Sequence, residues 1–150
     1  MQLMIRRHRA SQGFGLIEVL VSLFVLGIGI LGMAGLQLNA MKLNQIAAVR
    51  SQANFLAYDM ADRMRANTVA AQSGAYSTSI SSGAPSGTSI AEQDLAQWKN
   101  ALASQLPSGA GAVSLTNNIV RITVQWDESK VGGASTQQYV FETRLCEENC

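Results

Sequence analysis

Gly13-Phe14-Gly15-Leu16-Ile17-Glu18, with the apolar run that follows it to Leu36, decides how the rest of the chain is read. Arg6, Arg7, His8 and Arg9 stand ahead of it. From Val19 to Leu36 no residue is charged, and Ser22 is the only side chain with a hydrogen-bonding group. A basic head before an apolar run of this length predicts a membrane-targeting segment with the head kept in the cytoplasm. About 20 apolar residues, at ~1.5 Å each, cross the hydrocarbon core. Glu18 breaks the pattern. A carboxylate near the start of such a run is costly in lipid and calls for a partner and a purpose.

The combination of Gly13, Phe14, Glu18 and an unbroken apolar helix resembles the class III signal of type IV prepilins and related pseudopilins. In that pattern a short basic leader ends in Gly, an aromatic residue follows, and Glu comes four positions later. Here Leu16-Ile17-Glu18-Val19-Leu20 matches its core. The resemblance implies cleavage between Gly13 and Phe14 by a prepilin peptidase, and methylation of the new amine on Phe14 by the same peptidase/methyltransferase. It further implies that Glu18 pairs with that amine, on its own or a neighbouring subunit. Physically, a buried carboxylate facing a buried ammonium removes two uncompensated charges and sets the axial register between helices. Two other readings compete. One is an ordinary signal anchor, with Glu18 snorkelling to the interface. The other is a cleavable secretory signal, which fits poorly because the run is too long and lacks a small-x-small exit site.

Composition narrows the function. The 150 residues allow one domain hung on a long hydrophobic helix. Three of the eleven basic residues lie in the leader, which leaves eight against ten acidic ones. No basic patch survives, so nucleic-acid binding is not expected. His8, the only histidine, also lies in the leader. A mature chain without His builds neither a Ser-His nor a Cys-His pair, nor the common His-bearing zinc sites. No Gly-rich phosphate loop follows a strand. No enzyme activity, cofactor or metal site is therefore expected. Cys146 and Cys150 stand beyond the membrane on the side opposite the basic head, in an oxidising space, where a disulfide is the first expectation. Closing so short a ring would stabilise little. Free thiols or an intermolecular link are the alternatives.

Along the chain, residues 1–13 read as leader and 14–36 as a transmembrane and filament-core helix. Residues 37–66 read as the amphipathic second half of that helix, with Val49, Ala53, Leu56, Met60 and Met64 three or four apart. No Pro interrupts the chain before Pro85, so one helix is predicted from about Phe14 to Ala66, on the order of 80 Å long. Gly27, Gly29, Gly32 and Gly35 either permit close backbone approach or are merely tolerated, as glycine is in membrane helices. Residues 67–89 are a Ser/Gly-rich loop, with Tyr76 as a candidate for contact with a neighbouring subunit or, more simply, as a locally buried ring.

Residues 90–150 carry a helix and a β-meander with a C-terminal Cys loop. Ser89-Ile90-Ala91-Glu92 is a capping box. Leu95, Trp98, Leu102 and Leu106 form one stripe, with Trp98 packed in the core and its indole N–H on a carbonyl. Ala112–Leu115, Ile119–Trp126 and Gln137–Leu145 read as strands. Asn117 and Asn118 supply the positive φ of the first turn. Residues 127–136 read as a polar loop. The fold class is α+β: a type IV pilin-like lollipop, its long N-terminal helix packed on a second helix and a three-stranded antiparallel sheet. Asp59 and Arg63 are placed for i,i+4 pairing; intersubunit contact is the competing role for Arg63 and Arg65.

Ala57-Tyr58-Asp59-Met60-Ala61-Asp62-Arg63-Met64-Arg65-Ala66-Asn67 resembles the PilV-type minor pilins of type IVa pili. So do Asp94 to Trp98, Leu106-Pro107-Ser108-Gly109 and Val120 to Asp127. That resemblance implies a low-abundance inner-membrane and pilus-tip subunit, with a periplasmic C-terminal domain. It implies as partners other minor pilins, the major pilin, the inner-membrane assembly platform and a large tip adhesin. The complex primes polymerisation and supports twitching motility and cell adhesion. A minor pseudopilin of a type II secretion system is the alternative, and an anchored periplasmic binding domain a third.

Overall fold

The computed structural model describes residues 15–145. Helix α1, Leu16–Ala66, is continuous, as the absence of proline and the unbroken run require. By internal contacts the chain divides at Met41/Lys42 into two compact units. In the first unit every described residue is exposed. A Cβ built on Gly27, Gly29, Gly32 or Gly35 meets nothing within 4 Å. No contact among the described residues therefore demands these glycines, and each costs the helix about 1 kcal/mol relative to Ala.

In the second unit α1 is followed by α2, Thr68–Gln72, and α3, Ile90–Gln105. Strands β1, Ala110–Thr116, and β2, Ile119–Trp126, come next, then a 3-10 turn, Ser129–Val131, and β3, Gln137–Arg144. The α+β class is as the sequence predicts. The sheet is antiparallel in the order β1-β2-β3, with Val113 opposite Ile122 and Ile122 opposite Phe141. Asn117 and Asn118, at φ 50° and 62°, make the two-residue turn between β1 and β2, where left-handed backbone matches the strand twist.

The apolar stripes meet as expected. Ala53, Leu56, Ala57, Met60, Ala61 and Met64 of α1 share one core with Leu95, Trp98 and Leu102 of α3. The inner face of β2, Val120, Ile122, Val124 and Trp126, closes it. Ser89 and Glu92 form the reciprocal capping box at the start of α3. Trp98 is fully buried, and its Nε1–H donates to the Leu56 carbonyl at 2.8 Å.

Three local expectations change. The first strand begins at Ala110, two residues earlier than its sequence suggests. Gly109 and Gly111 look like helix-ending punctuation, but Gly111 lies inside β1, where α3 packs on it. A Cβ there would come within 2.4 Å of Trp98 Cη2 and 2.6 Å of Leu102 Cδ1. The loop after α1 contains the short helix α2, with Ala71 buried, and Thr78 bonds to Val113 at the outer edge of β1. Tyr76 is wholly buried, which removes it as a contact for a neighbouring subunit.

The Gly111 geometry gives a direct expectation. Gly111→Ala should destabilise the folded unit by about 1–3 kcal/mol through overpacking. Denaturant melts of the full chain in detergent measure this, and an unchanged midpoint would mean that α3 and β1 are not this close.

Candidate functional site

The exposed start of α1 holds the first candidate. The Gly15 carbonyl accepts from Glu18 N–H at 3.0 Å and from Val19 N–H at 3.3 Å, opening the helix. The Ser22 hydroxyl donates to the Glu18 carbonyl at 2.7 Å, so the one hydroxyl of the run is satisfied within its own helix. Among the described residues the Glu18 carboxylate has no hydrogen-bond or ion-pair partner. Around it Leu16, Ile17, Leu20, Phe24, Leu31 and Leu36 are all more than 60% exposed, on every side of the helix. A helix apolar all round is a helix to be buried, in lipid or among other helices. It is long and apolar enough to cross a membrane.

The second unit carries its charge in pairs. Arg50 donates to Glu128 through two nitrogens, at 3.0 Å each, in the fork geometry that suits a carboxylate. The buried Trp126 donates its indole N–H to the same carboxylate at 2.9 Å. The Glu128 side chain is only 2% exposed, and its backbone N–H and carbonyl bond to Ala134 and Gly133. Glu128 thereby ties α1 to the segment after β2. Farther along α1, Arg63 bridges Asp59 at 3.0 Å and Asp94 at 3.2 Å, with Gln97 also accepting. Asp94 takes the Tyr76 hydroxyl at 2.6 Å, and Asn67 donates to that hydroxyl at 3.2 Å. Arg65 pairs with Asp62 and donates to Thr143.

Arg63 and Arg65 are thus each engaged within the second unit, where they brace α1 against α3 and β3. Desolvation and then the Asp94 bond push the Tyr76 phenol above its ordinary value. These are supports for a fold. None pairs a nucleophile with a base.

The family model for the prokaryotic N-terminal methylation motif matches residues 8–34. The chain carries the N-terminal segment of a type IV pilin-like prepilin. The family of this motif is structural, and the motif implies processing by a prepilin peptidase and assembly at a membrane. Comparisons with curated proteins and with solved structures gave no match.

In this pilin-like chain Glu18 lies in the first turn of α1, within the matched segment. Gly13, Phe14, Cys146 and Cys150 lie outside the described residues. Glu128, Asp94 and Lys99 are structural finds. No periodicity marks them, because each is defined by a partner distant in sequence; only the Trp-Asp-Glu run at the end of β2 hints that a carboxylate lies near the core.

The Glu128 network has a pH consequence. The Arg50 bonds, and secondarily the Trp126 bond, hold its carboxyl below the ordinary carboxylate range against the opposing effect of burial. A depressed folded value means that the stabilisation is present above the unfolded pKa of about 4.3 and is lost as pH falls below it. The expected melting temperature is level near neutrality and falls below about pH 4. Glu128→Gln should flatten part of that fall, leaving a share due to Glu92 and Asp127, whose values are also lowered. Glu128→Ala should cost about 1–3 kcal/mol by orphaning the indole donor. An acid limb identical in Glu128→Gln and the parent would sink the assignment.

Proposed function

We propose that this protein is a minor pilin of a type IV pilus, of the PilV type, acting in the priming and tip complex that starts filament assembly. On this reading it supports twitching motility and adhesion. The observation that carries it is a helix apolar on every side, with a single carboxylate in its first turn, directly behind a basic leader and the Gly13-Phe14 pair. Such a helix is built to exchange lipid for other helices without losing burial.

The steps follow from chemistry. The basic leader, residues 1–13, keeps the N-terminus cytoplasmic, so residues beyond the membrane lie in the periplasm. Cleavage between Gly13 and Phe14 creates a new amine at the head of α1, which is then methylated. Glu18, four residues on, meets that ammonium on its own or a neighbouring subunit. The pair neutralises both charges in a low-dielectric environment and fixes how far one helix slides along the next. Residues 14–36 serve as membrane and filament core, 37–66 as the helix half that anchors the domain, 67–89 as the connecting loop, and 90–150 as the rest of the domain. A disulfide between Cys146 and Cys150 would fasten the acidic end of the chain after β3. Partners are the prepilin peptidase/methyltransferase, the other minor pilins, the major pilin, the inner-membrane assembly platform and a large tip adhesin.

A clean deletion of the gene, scored for surface pili and secreted exoprotein, tests the reading. Loss of pili with intact secretion is expected. Loss of secretion with pili intact would move the protein to a type II secretion machine, where the same helix serves a minor pseudopilin. Intact mass of the membrane-extracted chain tests processing, and a chain still carrying residues 1–13 would leave only an uncleaved anchor.

A further inference from the structure

Lys99 is the only lysine among the buried residues of the core, 8% exposed on α3 beside Trp98. Its Nζ donates to the carbonyl of Ser79 at 2.8 Å and to that of Ser82. Among the described residues no carboxylate lies within ion-pair distance of it, unlike Arg50, Arg63, Arg65 and Arg121. Two carbonyls accept two of three ammonium protons and leave the charge itself unneutralised. A buried charge is ordinarily paired, because the surrounding medium screens it poorly.

Lys99 lines an open cleft of about 240 Å³, between α3, the start of β1 and the loop after Ile80. Asn100 and Ala103 of α3 share that wall, and Gly109 to Gly111 form another. Val113 spends its N–H and carbonyl on Thr78, at the outer edge of β1. Gly111, two residues earlier on the same strand, turns its N–H to that same outer side. The cleft is thus lined by Lys99, Asn100 and the outer edge of β1, residues that can offer an ammonium, a side-chain amide and a strand-edge N–H. Its volume is below the roughly 300–1,000 Å³ of cofactor and drug-sized sites. One positive charge suits a monoanion, whereas a phosphate dianion ordinarily gathers several Arg and Lys donors.

We propose that this cleft is a binding site for a single carboxylate, held on the Lys99 ammonium and flanked by Asn100 and the outer edge of β1. The group can come from a small free carboxylate or from the C-terminus of a peptide; the donors are the same for both. Burial also pulls the Lys99 ammonium below its ordinary pKa, and a bound carboxylate would reverse that direction.

The test uses the full chain in detergent with lysine labelled at Cε, because Lys42, Lys99 and Lys130 are its only lysines and give three resonances. Acetate should move the Lys99 resonance saturably and leave Lys42 and Lys130 in place. Ala103→Met, which fills the rim of the cleft and leaves the Lys99 bonds intact, should weaken acetate binding at least about tenfold. Lys99→Gln should abolish the acetate-dependent shift of the Gly111 amide. A linear, parallel drift of all three lysines, or unchanged binding in Ala103→Met, would overturn the proposal without depending on whether Lys99→Gln folds. Tetra-alanine with a free C-terminus and its amidated form identify the source. At least tenfold tighter binding of the free form than of acetate, with none of the amide, assigns a peptide terminus. Equal affinity of the free form and acetate assigns a small carboxylate.

Discussion

Trp98→Ala is expected to lower the unfolding free energy by about 3–5 kcal/mol, the largest loss from any single core truncation considered for this protein. The indole is fully buried where α1, α3 and β1 meet. Gly111 has no room for even a methyl group against its ring, so the ring fills its space completely. Truncation would leave a cavity that this tight surround cannot collapse into, and the lost transfer energy adds to the cavity cost. The Leu56 carbonyl would lose its indole donor as well. In thermal melts of the full chain in detergent, the midpoint should fall on the order of 15–25 °C for a unit of this size. Trp98→Phe keeps much of the ring and loses the N–H, and should fall well short of that effect. A loss below about 1 kcal/mol for the alanine variant would mean that the three elements do not converge on this ring.

The second large effect is expected at Glu18 and concerns assembly rather than folding of the second unit. On the proposed reading Glu18→Ala leaves the Phe14 ammonium unpaired in an apolar environment. Breaking a buried pair by removing one partner costs about 3–5 kcal/mol, which is roughly 10²- to 4 × 10³-fold in incorporation at ~1.4 kcal/mol per decade. Sheared pili should be nearly free of the variant in quantitative immunoblots, while its level in the membrane stays near that of the parent. Thermal stability should not move, because Glu18 has no partner among the described residues. Intact mass should show the leader removed, which separates failed assembly from failed processing. Near-parental incorporation of the variant would count against the pairing and favour an anchor in which Glu18 snorkels.

The sequence made the elements legible wherever a local rule sufficed. A run without charge or proline fixes α1. The Ser89–Glu92 spacing fixes the start of α3. Strict alternation from Ile119 to Trp126 fixes which face of β2 is buried, and Asn117-Asn118 fixes the turn before it. The motif around Glu18 is likewise written in adjacent residues, so it could be read before any fold was known.

Local rules failed where meaning depended on a distant neighbour. Gly111 reads as a helix stop until the Trp98 ring is placed against it. Thr68–Gln72 is too short to hold a helix by local propensity alone, and its Ala71 is buried in the core. Tyr76 becomes interior, and Arg63 a brace, through Asp94 on another helix. Glu128 finds Arg50 across 78 residues, and Lys99 finds the carbonyls of Ser79 and Ser82. By itself the sequence determined the long apolar helix, its carboxylate and the order of the two longer helices and three strands, because periodicity and charge along one chain are enough to specify what one helix or strand buries. Only the tertiary structure decided which polar groups are paired and with which partners, because desolvation and hydrogen bonding are settled by what the fold brings within ~3 Å, at any distance along the sequence.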